Sequence, residues 1–221
     1  MGSPSLLVQD IPRERTHRVI LQGISWQTYQ ALLTEMGDNR SSRLAYDRGV
    51  LEITMPSDRH ETNTKLLEPM IEALTEELDL PIKGFRSTTL NREDLQRGAE
   101  PDSCYYIQNV ERIQGRTIDF TKDTAPDLVI EVDITSPSSK RLQIYSQLGV
   151  SEVWRYVGQR VEIYQLQAGT YNLCENSPTF PLVSVEIINQ FLQQAETQDD
   201  TTFIRAWRKW VREKLREEEY R

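Results

Sequence analysis

The sequence predicts an α/β (α+β) protein built on a mixed β-sheet flanked by helices. Helical and strand patterns follow one another as helix, hairpin, helix, several strands, helix, strands and helix, an order typical of one mixed sheet with helices packed against it. Residues 127–135 are almost continuously apolar, as a central strand covered on both faces would be. The 221 residues, 38% of them hydrophobic, suffice for one domain with extensions.

The first helix and a hairpin are predicted between residues 24 and 55. Ser25 is a candidate N-cap for a helix over residues 24–36. Two strand patterns, 44–46 and 50–55, flank Asp47-Arg48-Gly49, where the glycine permits a positive φ, so they indicate a β-hairpin. The apolar residues of the helix recur at helical spacing: Trp26, Tyr29, Leu33 and Met36.

A second helix is predicted from Asp58 to the residues before Pro81. Ser57 or Asp58 serves as its cap, and Glu61 lies in its first turn, where negative charge is favourable. His60 is nearly two turns before Leu67 and is expected on the same inward face. The inward stripe comprises Leu67, Ile71, Leu74 and Leu78.

The rest of the chain alternates predicted strands and helices. A helix over residues 140–148 is expected to end at Gly149. A charged amphipathic helix over residues 203–221 presents an apolar stripe that includes Trp207 and Trp210, and either a second copy or its own domain would cover that stripe. Strands are predicted at 82–90, 101–108, 117–120, 127–135, 153–157, 161–166 and 171–174.

Composition limits the class of protein. We expect a loose arm at residues 1–18, a main domain at 19–195 and the amphipathic helix within 196–221. Because the N-terminus lacks a secretory apolar region and no apolar run has membrane-spanning length, a cytoplasmic protein is expected. Cys104 and Cys174 are predicted to be reduced thiols rather than part of a zinc site. The net charge of −8 weakens a nucleic-acid-binding interpretation, although a local basic groove is compatible with it.

Acidic residues interrupt the apolar central strand. Asp127, Glu131 and Asp133 are spaced by even numbers of residues, so a strand places them on the same side. Carboxylates buried together are costly unless basic side chains or a divalent metal neutralise them. The alternative is a solvated strand edge, or pairing with Lys and Arg. A second acidic cluster, Glu100-Pro101-Asp102, opens the strand pattern at 101–108, where proline suits a first position or a bulge.

Together these two clusters resemble the PD-(D/E)XK motif of restriction-endonuclease-like nucleases. More specifically, the chain resembles a large bacterial family of restriction-endonuclease-like endonucleases of unknown substrate, over roughly residues 20–170. The stretches that carry the resemblance are AYDRGVLEITMPSDRHE, GAEPDSCYYI, APDLVIEVDITSPSSKR and YSQLGVSEVWRY.

The resemblance implies a core of αβββαβ order and metal-dependent hydrolysis of phosphodiester bonds in nucleic acid, DNA in the first instance. Asp102 or Asp127 would supply the first acidic ligand and Glu131 the second, to Mg²⁺ or Mn²⁺. The motif places a lysine two residues after the second acid, where this chain has Asp133. A carboxylate cannot replace the ammonium, although it can add a metal ligand.

The missing lysine directs attention to the next helix. Lys140 is the nearby candidate to activate water, and Arg141 is the candidate to clamp phosphate because arginine stays protonated. His60 and Glu61 are further candidates on the second helix, and Glu52 on the hairpin is a weaker one. For Lys140 and Arg141 the alternative is a solvated first helical turn, and for His60 and Glu61 packing and helix-dipole roles.

Three functions remain open from the sequence. The first is a metal-dependent endonuclease. The second is a nuclease-fold protein that binds or regulates without turnover, which Asp133 and the net charge of −8 favour. The third is a structural homodimer with an incidental acidic cleft.

Overall fold

A computed structural model of the chain shows a two-sheet protein with helices packed on both sheets. Two elements lie in segments for which the sequence predicts neither a helix nor a strand: a strand before residue 24 and a helix after residue 184. At residues 58–61, 63, 139 and 219 the structure describes the backbone only. The described residues are 17–37, 40–56, 58–86, 88–115, 118–133 and 139–219.

Within these ranges the chain forms eleven strands and six α-helices. The strands are β1 His17–Gln22, β2 Arg43–Asp47, β3 Val50–Met55, β4 Lys83–Arg86, β5 Leu90–Arg92, β6 Arg97–Ala99, β7 Ser103–Tyr106, β8 Leu128–Asp133, β9 Glu152–Val157, β10 Arg160–Gln167 and β11 Thr170–Cys174. The helices are α1 Trp26–Met36, α2 Asp58–Glu77, α3 Val110–Ile113, α4 Ser139–Leu148, α5 Val185–Ala195 and α6 Asp200–Glu219.

The smaller sheet is antiparallel and contains the predicted hairpin. Its order is β1-β3-β2-β6-β5. Arg48 and Gly49 have φ values of 43° and 93° between β2 and β3, the left-handed conformations that a two-residue hairpin turn requires. Ser25 caps α1 as predicted, because its side chain accepts the Thr28 N–H at 3.1 Å. This helix covers one face of the sheet through Trp26 and other buried side chains.

The larger sheet is mixed and has β8 near its centre. Its order is β11-β10-β9-β8-β7-β4, and among the described strands only β8 and β9 pair in parallel. Ile130 faces an apolar cluster shared with α2, α5 and α6, whereas Val129 faces a second cluster with Ile144 and Tyr145 of α4. The central strand is therefore covered on both faces, as its sequence predicts.

Helix α4 makes the crossover between the two parallel strands. It ends at Leu148, and Gly149 follows with a φ of 85°, which confirms the predicted end of the helix. The crossover places α4 over the face of β8 that carries the odd-numbered residues. The acidic side chains of that face therefore meet the side chains of α4.

The C-terminal helix packs on its own domain. Phe203, Trp207 and Val211 are buried, and the Trp207 indole N–H donates to the Met70 carbonyl oxygen of α2 at 3.0 Å. The sequence left open whether a second copy or the domain itself covers this stripe, and in the structure the domain itself covers it. The exposed stripe that suggested a dimer is thus absent from the described part of α6.

Several elements differ from the sequence predictions. The single strand expected at 82–90 is two strands in different sheets, because β4 pairs with β7 whereas β5 pairs with β6. Residues 118–120 are not a strand but lead into a turn in which Asp123 donates its N–H to the Asp119 carbonyl oxygen at 2.8 Å. Strands β1 and β6 and helix α5 were not predicted, and β1 begins inside the expected arm. None of the described helices is long and apolar enough to cross a membrane.

Candidate active site

The candidate site lies at the C-terminal end of β8, under the first turns of α4. Glu131 is 95% buried there, and in the register of the sheet it lies opposite Arg155 of β9. Alternation along the strand points Glu131 to the same side as Val129, toward α4. An ionisable group in this position needs partners, and α4 supplies them.

Two side chains of α4 bind the two oxygens of Glu131. The Tyr145 hydroxyl donates to Oε2 at 2.6 Å, and the Arg141 guanidinium forms an ion pair with Oε1. Burial raises the pKa of Glu131 from its ordinary value to about 7, although the charge of Arg141 and the bond from Tyr145 act in the opposite direction. The negative charge of Asp102 raises this pKa further. Burial therefore disfavours the charged form of Glu131 more than in an exposed glutamate.

Arg141 is the cation at the centre of the site. Its guanidinium donates from Nε to Glu52 Oε1 at 3.3 Å and from Nη1 to the Glu100 carbonyl oxygen at 3.2 Å. Nη2 donates to Thr54 Oγ1 at 3.4 Å. Burial acts to lower the pKa of Arg141, but Glu131 and the other neighbouring acids raise it overall. The guanidinium is thus a fixed positive charge that joins α4 to both sheets.

Asp102 is brought next to Glu131 by a main-chain contact. It follows Pro101 directly before β7, and its Oδ2 accepts the N–H of Val132, the residue after Glu131, at 2.8 Å. The Asp102 N–H donates in return to the Ile130 carbonyl oxygen at 3.2 Å. These two bonds place the carboxylates of Asp102 and Glu131 at the same end of the β7–β8 pair.

Asp127 lies at the opposite end of β8. It is four steps along the strand from Glu131, which is roughly 13 Å at about 3.3 Å per residue. Its Oδ2 accepts the N–H groups of Ile107 and Asn109 at 2.7 and 3.0 Å, and its Oδ1 accepts the Asn109 side-chain amide. The carboxylate of Asp127 therefore binds the turn that follows β7 and lies away from Glu131, so Asp102 is the acid beside Glu131.

The other residues predicted for the site lie on the strand end and on the first turns of two helices. Asp133 Oδ2 contacts Arg155 Nη2 at 2.8 Å. Lys140 is exposed in the first turn of α4, whereas Arg141, the next residue, points inward. His60 and Glu61 lie in the first turn of α2, as predicted, but their side chains fall outside the described part of the structure.

Two site residues were underrated or missed from the sequence. Glu52 of β3, the weakest candidate, is 94% buried and contacts both Arg141 and Arg18. Tyr145 was not considered, although it follows Arg141 by four residues and so shares its helix face. That spacing was the available signal. For Glu52, the signal was an acid alternating with the apolar Leu51 and Ile53 in a short strand.

Arginines contact each carboxylate of the site region. The pairs are Glu52 with Arg18 and Arg141, Glu100 with Arg40, Asp102 with Arg43 at 3.8 Å, Glu131 with Arg141, and Asp133 with Arg155. The sequence left metal or basic side chains open as the neutralising partner, and the structure shows basic side chains in that role. Among the described residues, no group of three or more His, Cys, Asp or Glu side chains is arranged to hold a metal.

A smaller donor set fits Mg²⁺ nevertheless. This ion prefers oxygen ligands, keeps several waters, and is usually bound by one or two carboxylates. Asp102 and Glu131 are two neighbouring carboxylates, which is the number that Mg²⁺ usually takes from a protein. The pair fits a largely hydrated ion and does not form an all-protein cage.

Comparisons with known proteins identify the family and the fold. A family model named Uma2 and described as "Putative restriction endonuclease" matches residues 26–197. The fold is similar to the crystal structure, at 1.96 Å resolution, of a putative nuclease belonging to DUF820 from Anabaena variabilis ATCC 29413. That likeness has a TM-score of 0.54 and 15% sequence identity, and it covers 76% of this chain and 99% of the other. No curated protein matches significantly. Since the family model spans most of the sequence, the chain belongs to the Uma2 family of putative restriction endonucleases.

Proposed function

We propose that this protein is a divalent-metal-dependent endonuclease that hydrolyses phosphodiester bonds of DNA. The observation that carries the proposal is the bond between Asp102 Oδ2 and the Val132 N–H, which sets Asp102 beside Glu131. Family membership supports nuclease activity, and the metal and the DNA substrate are the parts that we add. A cytoplasmic location belongs to the same proposal, since both Cys104 and Cys174 are free thiols.

Asp102 and Glu131 would hold the metal, Mg²⁺ or Mn²⁺. When bound, such an ion polarises the phosphoryl group and lowers the pKa of a coordinated water. Asp127 is not part of this proposal, because its oxygens bind the turn after β7. Asp133 is left out as well, because its carboxylate contacts Arg155.

The side chains of α4 would prepare Glu131 and the substrate. Tyr145 holds Glu131 Oε2 in place through its hydroxyl proton, so the carboxylate cannot rotate freely. Arg141 stays protonated, and it can bind a phosphate oxygen but cannot take a proton from water. Lys140, exposed one residue earlier, is therefore our candidate for a group that contacts the attacking water or the phosphate.

Cleavage assays with purified protein test the proposal. We expect the wild type to cut DNA with Mg²⁺ or Mn²⁺ and to lose this activity in EDTA. Glu131→Gln should lower cleavage roughly a thousandfold, because several kcal/mol of metal-derived stabilisation is lost. Asp127→Asn is the matched control on the same strand. Undiminished cleavage by Glu131→Gln would exclude this site.

A second candidate is a nuclease-fold protein that binds nucleic acid without turnover. It is favoured by the arginine contacts of the site carboxylates and by Asp133 in place of the motif lysine. Calorimetric titration with Mn²⁺ separates the two candidates. The endonuclease requires metal binding that Glu131→Gln weakens, whereas the binding protein requires neither metal binding nor turnover.

A further inference from the structure

A small cavity opens directly beside Arg141, between the five-stranded sheet and α4. Its volume is about 100 Å³. Glu52 and Arg141 form part of its wall, and both also belong to the contacts around Glu131. A group bound in this cavity would therefore lie next to the proposed site of cleavage.

The register of the strands explains why the cavity exists. Ile20 of β1 pairs with Glu52 of β3, and Glu52 pairs with Ala45 of β2, so the three side chains form a row on one face of the sheet. Helix α4 covers this row at Ala45, which lies in the apolar cluster with Ile144. At the other end Ile20 is 41% exposed, so the cavity opens to solvent beside β1.

The walls of the cavity suit a flat, partly polar ring. Ile20, Val50 and Ile144 supply apolar surface, and Glu52 and Gln143 supply hydrogen-bonding groups. For comparison, an apolar cavity of roughly 150 Å³ holds a benzene ring. A somewhat smaller cavity with an open mouth is best suited to a single six-membered ring, because the fused rings of a purine would leave more of their surface outside.

The charged side chains of the cavity wall indicate which base would bind and how it would be oriented. A carboxylate accepts hydrogen bonds from an exocyclic amino group, as Glu and Asp do from N4 of cytosine. Glu52 Oε1 accepts from both Arg141 and Thr54, whereas Oε2 has a single contact, with Arg18 at 3.4 Å, so Oε2 is the oxygen suited to such a bond. The same carboxylate repels phosphate from the interior, while Lys140 at the cavity wall is a cation suited to the sugar-phosphate backbone.

We propose that this cavity is a nucleobase subsite that takes an amino-bearing pyrimidine, cytosine, from the nucleotide flanking the scissile phosphate. The proposal rests on the proposed nuclease function and makes its substrate class narrower. A walled cavity cannot receive a base that is stacked in a duplex, so the base enters from a single strand or is flipped out. The substrate is therefore single-stranded or locally unpaired DNA.

Binding measurements without metal test the subsite separately from cleavage. Short single-stranded DNAs carrying cytosine, thymine or an abasic site at one central position are titrated by fluorescence anisotropy in EDTA. We expect about tenfold tighter binding of the cytosine strand than of the abasic strand, as for a base held in contact with side chains. A 5-fluorocytosine at the same position should show a ¹⁹F resonance that shifts on binding.

A matched pair of variants on β1 distinguishes the cavity from general electrostatics. Ile20→Lys places a cation at the cavity mouth, where it competes with the base for Glu52, whereas Val19→Lys adds the same charge on the opposite face of the same strand, where Val19 pairs with Ile53. The two residues are 41% and 46% exposed, so both variants should fold. We expect Ile20→Lys to abolish the preference for cytosine and Val19→Lys to retain it.

The outcomes separate this inference from the proposed function. A wild type that cleaves DNA but binds cytosine, thymine and abasic strands equally overturns the subsite and leaves the nuclease intact. Equal loss of preference in both variants also overturns it. Tighter binding of thymine would contradict the role of Glu52. A wild type that prefers cytosine but never cleaves supports the subsite and overturns the nuclease.

Discussion

The two ends of β8 carry acidic residues that look alike in the sequence and differ in the structure. Asp127 accepts two main-chain N–H groups and one side-chain amide, all from the turn after β7. Glu131 is bound instead by Arg141 and Tyr145, two side chains of a packed helix. A carboxylate bound to main-chain groups fixes a turn, because those donors cannot move without the backbone. Glu131 is bound to side chains and can exchange them for a metal ion without a change in the backbone.

The largest expected effect is on the Glu131 end. Arg141→Ala leaves Glu131 and Glu52 buried without their shared cation, so we expect a loss of about 3–5 kcal/mol in the free energy of unfolding, measured with urea. Lys140→Ala, at the exposed neighbouring residue, should change it by no more than about 0.5 kcal/mol. If Arg141→Ala and Lys140→Ala lowered the free energy of unfolding equally, Arg141 would not be the residue that stabilises the Glu131 end of the strand.

The pH dependence of stability should also report on the Glu131 end. Since burial raises the pKa of Glu131 from 4.5 to about 7, the folded protein binds this proton more tightly than the unfolded chain. Its contribution to stability is therefore present at low pH and is lost as the pH rises through about 7. Relative to Glu131→Gln, the free energy of unfolding of the wild type should fall by on the order of 3 kcal/mol between the two pKa values. Urea unfolding of both proteins between pH 4.5 and 7 checks the slope. A wild type that gains stability instead would mean that Arg141 outweighs burial.

The smallest expected effect is on the Asp127 end. Asp127→Asn turns one acceptor oxygen into an amide donor that faces N–H groups, so we expect a loss of about 2 kcal/mol in stability. Cleavage rate and Mn²⁺ affinity should stay unchanged in the folded variant. A loss of metal affinity in Asp127→Asn would remove the distinction between the two ends of the strand.

The sequence was sufficient for features that depend on local periodicity. The alternation of residues 127–133 correctly placed Glu131 on the side opposite Ile130, and the turn at Arg48-Gly49 and the end of α4 at Gly149 follow from local conformational preference. The family resemblance is confirmed by the family model. These predictions succeeded because each one rests on residues that are near neighbours in the chain.

Other features of the site depend on distances and contact partners that cannot be inferred from the periodicity of the sequence. Even spacing put Asp127 and Glu131 on one side of a strand but could not show that roughly 13 Å separates them. Glu52 was ranked low because its importance comes from Arg141, which is 89 residues away. The segment at 82–90 was predicted as one strand, and its division between two sheets depends on the separate partners of β4 and β5, β7 and β6.

The crossover from β8 through α4 to β9 has a consequence for how the protein folds. Glu131, Arg141 and Tyr145 lie within 15 consecutive residues of this one unit, so their contacts close short loops and cost little chain entropy. Asp102 and Glu52 join from distant segments, at a higher entropic cost. We therefore expect the β8–β9 amides to gain protection in pulsed hydrogen exchange before those that pair β2 with β6, whose partners lie much further apart in the chain. The ion pair between Glu131 and Arg141 would then exist as a folding nucleus before the rest of the site forms around it.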